Sequence, residues 1–388
     1  MHRCFPALLS GVFTLAAFIG APSPLKAAAP EKVTVDQLEQ ALSVAHEKAD
    51  AEMAQALVSL ELTERLSAAR LAHLKADLPG ERSQQALAIL ADQSAFLPPP
   101  DDEIVADPTP DSAATRQMLV QIVNYVNTTV RQLPNLMAIR ETSGFEDRPQ
   151  EDRVDRTGTL GLSYLPLHLV GQSSVAVTYR DRKEVVDESA TKGLKKGTPV
   201  GGLVTSGEFG PILTTVLADA LKGTISWARW EQRENGKIAV FRYAVPDQKS
   251  NYYVKFCCIM NGFRSDQTPD LQLFNERAGY HGEIAFDPAD GSIQRITLEA
   301  EMPPTGMVPH AGIVIEYSSV EIGGKNYTCP ARGVSLLQAH TAVPQGAFSR
   351  ANYQGTPKTY LNEVEFSQYR RFGSETRILS GDNDPPAK

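Results

Sequence analysis

Two periodicities divide the chain. Through residues 33–97, apolar positions recur every three or four residues, the spacing of one helix face. Leu38, Leu42 and Ala45 follow Thr34-x-x-Gln37, a capping box in which side chain and backbone satisfy each other at a helix start. Asp50 stands where it would cap a second helix carrying Met53, Leu57 and Leu60, and Thr63 a third carrying Leu66, Leu71 and Leu74. Pro79-Gly80 ends that unit, and Leu87 and Leu90 mark a fourth helix within 81–95. These helices are short and their stripes narrow, so each needs a partner surface. Pro98-Pro99-Pro100, an acidic cluster and Pro108-x-Pro110 then read as a linker that no helix crosses. Beyond it Met118, Ile122, Tyr125, Val126 and Val130 share one face of a helix running from Asp111 to Leu133, stopped by Pro134.

From Leu136 onward the apolar positions alternate. Val175, Val177 and Tyr179 do so, as do Ala239, Phe241, Tyr243 and Val245, then Tyr252, Val254, Phe256 and Cys258. Ile284 and Phe286 are joined to Ile293, Ile296 and Leu298 by a turn at Asp290-Gly291. Ile313, Ile315 and Tyr317 lead to a second turn at Gly323-Gly324, from which Tyr327 and Cys329 return. Val364 and Phe366 supply a late strand. Short turns between strands imply antiparallel pairing. One helix interrupts them, with Phe209, Ile212, Leu213, Val216, Leu217, Ala220 and Leu221 at helical spacing behind a Ser206 cap. The fold class is therefore α+β: an N-terminal helical region, then a curved antiparallel sheet with a packed helix.

The first residues read as a leader. Arg3, an apolar stretch from Ala7 to Ala21 and the small run Ala27-Ala28-Ala29 follow the order of a secretory signal peptide. The apolar stretch is about 15 residues, short of the ~20 that span a bilayer. The expected divisions are a signal peptide at 1–29, a helical region at 30–97, a Pro-rich linker at 98–110, a helix-plus-sheet domain at 111–380 and a disordered tail at 381–388. The expected location is exported, in the periplasm or cell envelope. Without Arg3 and Lys26, 36 basic side chains face 46 acidic ones, a net charge of −10. That sign, with no long basic run, argues against nucleic acid as a partner.

An exported chain sits where disulfides persist. Cys257 and Cys258 are adjacent and point to opposite faces of a strand, so only one easily reaches Cys329; Cys258 with Cys329 is the candidate disulfide, with Cys257 the alternative partner. It would close a loop of about 70 residues and stabilise by roughly 4 kcal/mol in the chain-entropy treatment. The odd count beyond the leader argues against a complete disulfide framework, and no C-x-x-C or H-x₃-H spacing suggests zinc.

Catalytic motifs are sparse. No G-x-S-x-G elbow, P-loop, H-E-x-x-H or EF-hand loop occurs, and no cofactor or metal is implied. His281 and Glu283, two apart in a strand, would share a face and are the candidate acid/base pair of a hydrolase. The glycines of 201–210, leading into a helix, are a candidate anion site opposed by Glu208. Trp227 and Trp230, three apart, are expected on opposite strand faces. Tyr179, Trp230, Phe241 and Tyr243, bulky and on strands, are the candidate lining residues for a ligand.

The strand segments AVFRYAVP, GEIAFDPADGSIQRITL, IEYSSVEIGGKNYTCPARG and YLNEVEFSQYRRF, with the helical LELTERLS and ADQSAFL, resemble a group of exported acidobacterial proteins over nearly the whole chain. More remotely, the order of strands and helix is similar to outer-membrane lipoprotein carriers of the LolA type, half-barrels whose apolar concave side holds acyl chains. The resemblance to the exported group implies no known activity. A curved sheet that buries one face on helices can leave an apolar hollow between them, and the expectation is a non-enzymatic envelope protein that binds a hydrophobic or amphipathic ligand, a lipid or a lipoprotein acyl chain. The long helical N-terminus departs from the carrier pattern and suggests instead a module docking an envelope protein partner.

Overall fold

The computed structural model describes residues 30–45, 48–149, 164–181, 183–186, 201–203, 205, 208, 210–233, 236–263, 269–340, 342–343, 352–353 and 356–371. Residues 1–29, read as a leader, residues 381–388, read as a tail, His46 and the expected cap Ser206 lie outside the described residues.

The first segment carries β1 (Glu31–Val33), α1 (Val35–Val44), α2 (Asp50–Val58), β2 (Leu60–Leu62), α3 (Ala68–Ala76) and α4 (Glu81–Gln93). The Thr34 capping box opens α1. Leu60 is not helical: α2 ends at Val58, and β2 pairs in parallel with β1. Thr63 caps nothing either. Its backbone N–H and hydroxyl go to the Val33 carbonyl, and α3 starts only after Ser67. Asp50 serves another helix. Its carboxylate accepts from the backbone N–H groups of Arg82 at 3.2 Å and Ser83 at 2.8 Å, satisfying the free donors at the start of α4. Gly80 makes that approach possible, since a Cβ there would lie 2.7 Å from the Asp50 carboxyl carbon. Leu38, Met53, Leu57, Leu74, Leu87 and Leu90 converge in one small core, so the stripes bury one another.

The stretch read as a linker belongs to the fold. Ile104–Val105 forms β3, which pairs with β8 (Thr224–Arg233). Then come α5 (Ser112–Gln132), capped by Asp111 through the Ala114 N–H at 2.7 Å, β4 (Leu136–Arg148), β5 (Leu165–Arg180), β6 (Lys183–Val186), β7 (Gly202–Leu203) and α6 (Pro211–Ala220). After β8 follow β9 (Gly236–Val245), β10 (Tyr253–Phe263), β11 (Pro269–Arg277), β12 (Tyr280–Phe286), β13 (Ile293–Ala300), β14 (His310–Ile322) and β15 (Lys325–Ala339). The last are β16 (Ala342–Val343), β17 (Asn352–Tyr353) and β18 (Lys358–Arg371).

Eleven strands form one open antiparallel sheet in the order β3-β8-β9-β12-β13-β14-β15-β18-β4-β5-β6. Strand alternation gives it two apolar faces. On the inner face Phe241, Tyr243, Ile284, Ile296, Ile313 and Ile315 pack with Met118, Ile122 and Val126 of α5 and with Leu213, Val216 and Leu217 of α6. On the outer face Val314, Val334 and Leu361 pack with Ile89 and Ala95 from the N-terminal segment. Helices therefore cover both sides of the central strands.

The Cys258–Cys329 bridge is not made. Strand β10 lies in a separate three-stranded sheet, β11-β10-β7, whereas Cys329 in β15 sits opposite Ser318 in the large one. Cys329 is a buried free thiol, pushed up to about 12 by burial, which keeps it inert.

Candidate functional site

A cleft opens where the N-terminal segment crosses the outer face of the sheet. Beyond α4, Ala95-Phe96-Leu97-Pro98 runs over the strands around β12 and β13. Gly312 on β14 gives Phe96 its place, because a Cβ there would stand 2.6 Å from the ring. The ring also meets His310 edge-on at 6.0 Å. The cleft encloses about 420 Å³. Phe96, Leu97 and Pro98 form its apolar wall; Ser226, Ala244, Gly282 and Thr297 continue it across the sheet; Arg65, Arg229, Arg242, His281, Glu283 and Glu299 supply charge.

These charges are organised beneath the cleft. Glu231 is 2% exposed and accepts from Arg65 at 2.9 Å, Arg229 at 2.6 Å and Arg295 at 3.2 Å. Burial alone would push its carboxyl up, but the guanidiniums, Arg295 foremost, hold it well below the usual carboxylate range. Burial, reinforced by the Arg295 charge, lowers Arg65 to about 10. Arg229 also grips Glu283 with both terminal nitrogens at 2.6 Å. Glu299 is pushed up by burial and by Glu301 and Glu283, against the pull of His281. Arg242 stands apart: among the described residues it makes no ion pair, although its register partner is Glu283. Of the three arginines at the cleft, Arg65 and Arg229 are taken up by Glu231 and Glu283, so Arg242 is the guanidinium left without an ion pair among the described residues.

The structure places His281 and Glu283 on the same cleft but in different networks. The Nδ1 of His281 lies 2.6 Å from Glu301 Oε1 and its Nε2 lies 3.7 Å from Glu299, while Glu283 is held by Arg229. They do not meet as an acid/base pair.

The four lining candidates separate. Phe241 is fully buried, stacked on Phe286 at 5.5 Å. Tyr243 borders the cleft, but its ring belongs to the inner core and its hydroxyl donates to the Thr297 carbonyl at 2.6 Å. Burial holds that hydroxyl well above its ordinary pKa. Tyr179, 2% exposed, packs in another cluster with Leu136 and Val364. Trp230 lies against Trp227 with ring centres 4.6 Å apart, donates to the Pro108 carbonyl at 3.3 Å and sits under the Lys237 ammonium. The two tryptophans are not on opposite faces. A bulge between Trp227 and Arg229 adds a residue to β8 and turns both indoles the same way. In the glycine-rich stretch, Gly202 and Leu203 pair with Cys257 and Phe256, and Glu208 is buried.

The residues that build the cleft, Arg65, Phe96, Arg229 and Arg242, carry no local motif. A weak signal was available in Glu231 and Arg295, charged residues set among alternating apolar strand positions. Among the described residues no group of three His, Cys, Asp or Glu is placed to hold a metal, and no helix is long and apolar enough to cross a membrane. No family model matches this chain, and no characterised protein or solved structure is significantly similar to it.

Proposed function

We propose that this protein is an exported binder of an amphipathic anion, such as a fatty carboxylate or an anionic lipid, and that the cleft beside Phe96 holds it. The observation that carries the reading is the pairing of the apolar wall of Phe96, Leu97 and Pro98 with Arg242, a guanidinium with no ion pair among the described residues. An anionic head would take Arg242, and the chain would lie along the wall. A volume of about 420 Å³ fits a small lipid-like molecule. The leader supports an envelope location; the inner face of the sheet is filled by α5 and α6, so the site we propose lies on the outer face rather than in a carrier-like hollow. The N-terminal helices contribute the wall of the site on this reading, rather than a separate docking module.

Calorimetric titration with dodecanoate and with the neutral amphiphile dodecyl maltoside tests this. Dodecanoate binds the wild type, and Arg242→Gln weakens it about tenfold while leaving the maltoside unchanged, the loss of one charge-assisted hydrogen bond. Absence of dodecanoate binding, or equal binding by the variant, refutes the proposal.

A further inference from the structure

A second cleft, larger and of different chemistry, lies between the C-terminal half of α5 and the end of the β14–β15 hairpin. It encloses about 680 Å³. Helix α5 carries two stripes. Met118, Ile122 and Val126 enter the inner core, whereas Tyr125, Thr128, Thr129 and Gln132, at i, i+3, i+4 and i+7, line the cleft. Across from them stand Gln294, Ser319, Asn326, Tyr327 and Thr328.

In this cleft Tyr125 bonds Thr328, Gln294 bonds Ser292 and Tyr317 donates to the Glu208 carbonyl, while the side chains of the exposed Thr128, Gln132, Ser319 and Asn326, with Thr129, hold no protein partner among the described residues and present their donors and acceptors outward. Twelve of the fifteen lining residues carry a hydroxyl or an amide, and the two charged ones, Asp290 and Lys325, cancel.

We propose that this cleft is a binding site for a neutral saccharide. Hydroxyl and amide side chains that both donate and accept match the hydroxyls of a sugar, which do the same. Tyr125 and Tyr327, on opposite walls, offer amphipathic rings against which sugar C–H groups pack. The balanced charge gives no advantage to an anionic ligand, which separates this site from the arginine-lined cleft.

The test is titration of the full-length exported chain with neutral hexasaccharides of β-1,4-glucose, α-1,4-glucose and β-1,4-N-acetylglucosamine, followed by saturation-transfer NMR, with oligogalacturonate as the charged control. At least one neutral hexasaccharide binds at millimolar concentration or below. The double variant Thr128→Val and Thr129→Val, which keeps side-chain shape, weakens it about tenfold. Gln132→Ala, at an exposed position, weakens it as a separate check that needs no change inside the fold. Dodecanoate binding stays unchanged in both. Failure of all three neutral sugars to bind, preference for the charged control, or equal binding by the variants overturns the proposal.

Discussion

Arg229 holds Glu283 through both terminal nitrogens at 2.6 Å while one of them also reaches Glu231 at 2.6 Å. One guanidinium thus joins the carboxylate bordering the cleft to the carboxylate buried below it. Removing Arg229 leaves neither carboxylate bare, because Glu231 keeps Arg65 and Arg295 and Glu283 keeps Arg295 at 3.7 Å. Arg229→Met keeps the apolar stem and deletes the charge. We expect a loss of about 1.5–3 kcal/mol in urea unfolding, the cost of losing hydrogen bonds to charged groups that keep other partners. Glu283→Gln should cost less, because Glu231 still answers Arg229. Equal losses would show that the two carboxylates are not linked through this side chain.

Stability should pass through a maximum at mildly acidic pH. Glu231 has its folded pKa lowered, so its stabilisation is complete above the unfolded carboxylate value, about 4.3, and is lost as pH falls through the folded one. Asp92 has the opposite sign. It is 1% exposed, shares Arg332 with Glu363, and burial pushes it up to about 7. A raised carboxylate destabilises the fold above its folded pKa and ceases to do so once protonated in both states, so stability rises as pH falls from 7 toward about 4. Urea midpoints measured from pH 3 to 8 should show both limbs. Asp92→Asn should flatten the upper one and Glu231→Gln the lower.

The legible parts of this fold are local. Thr34-x-x-Gln37 and Asp111 announce their helices because a cap is completed within one turn. Strand alternation from Phe241 to Val245 survives because Phe241, Tyr243 and Val245 are buried on the inner face while Arg242 and Ala244 between them are exposed on the outer one. Asp50 misleads because its acceptor oxygens are spent on Ser83, a residue of another helix. Ile104 and Val105 follow prolines and acids, yet an edge strand needs only two residues opposite Glu231 and Trp230. Of the cleft, only His281, Glu283 and Tyr243 were picked out by the strand pattern; its assembly was not legible, since Arg65 finds Glu231 across 166 positions of sequence and nothing near either residue signals the other.

Tyr243 reaches the Thr297 carbonyl only because Gly282 lies between them. A Cβ at Gly282 would sit 2.0 Å from the Thr297 oxygen and 2.9 Å from the Tyr243 hydroxyl. Gly282→Ala should therefore cost about 3 kcal/mol or more, since β12 is hydrogen-bonded between β9 and β13 and has no room to give. Tyr243→Phe, which removes only the hydrogen bond, should cost about 1 kcal/mol. Chemical unfolding of both variants checks the ranking. A glycine variant no worse than the phenylalanine variant would mean that β12 shifts freely.

Phe96 offers a way to separate the cleft wall from the charge that faces it. Its ring occupies the space above Gly312, where an added methyl would come within 2.6–2.8 Å of two ring carbons. In Gly312→Ala the ring must swing off β14, and the swing takes it out of line with Leu97 and Pro98. The charged groups are left in place, because Arg229, Arg242 and Glu283 lie on β8, β9 and β12. Binding of amphiphiles should then fall with chain length: dodecanoate loses several-fold in affinity while hexanoate, which reaches less of the wall, loses little. Titration of both acids against wild type and Gly312→Ala measures this. Equal losses for the two chain lengths would mean that Phe96 supports the sheet and does not contact the ligand.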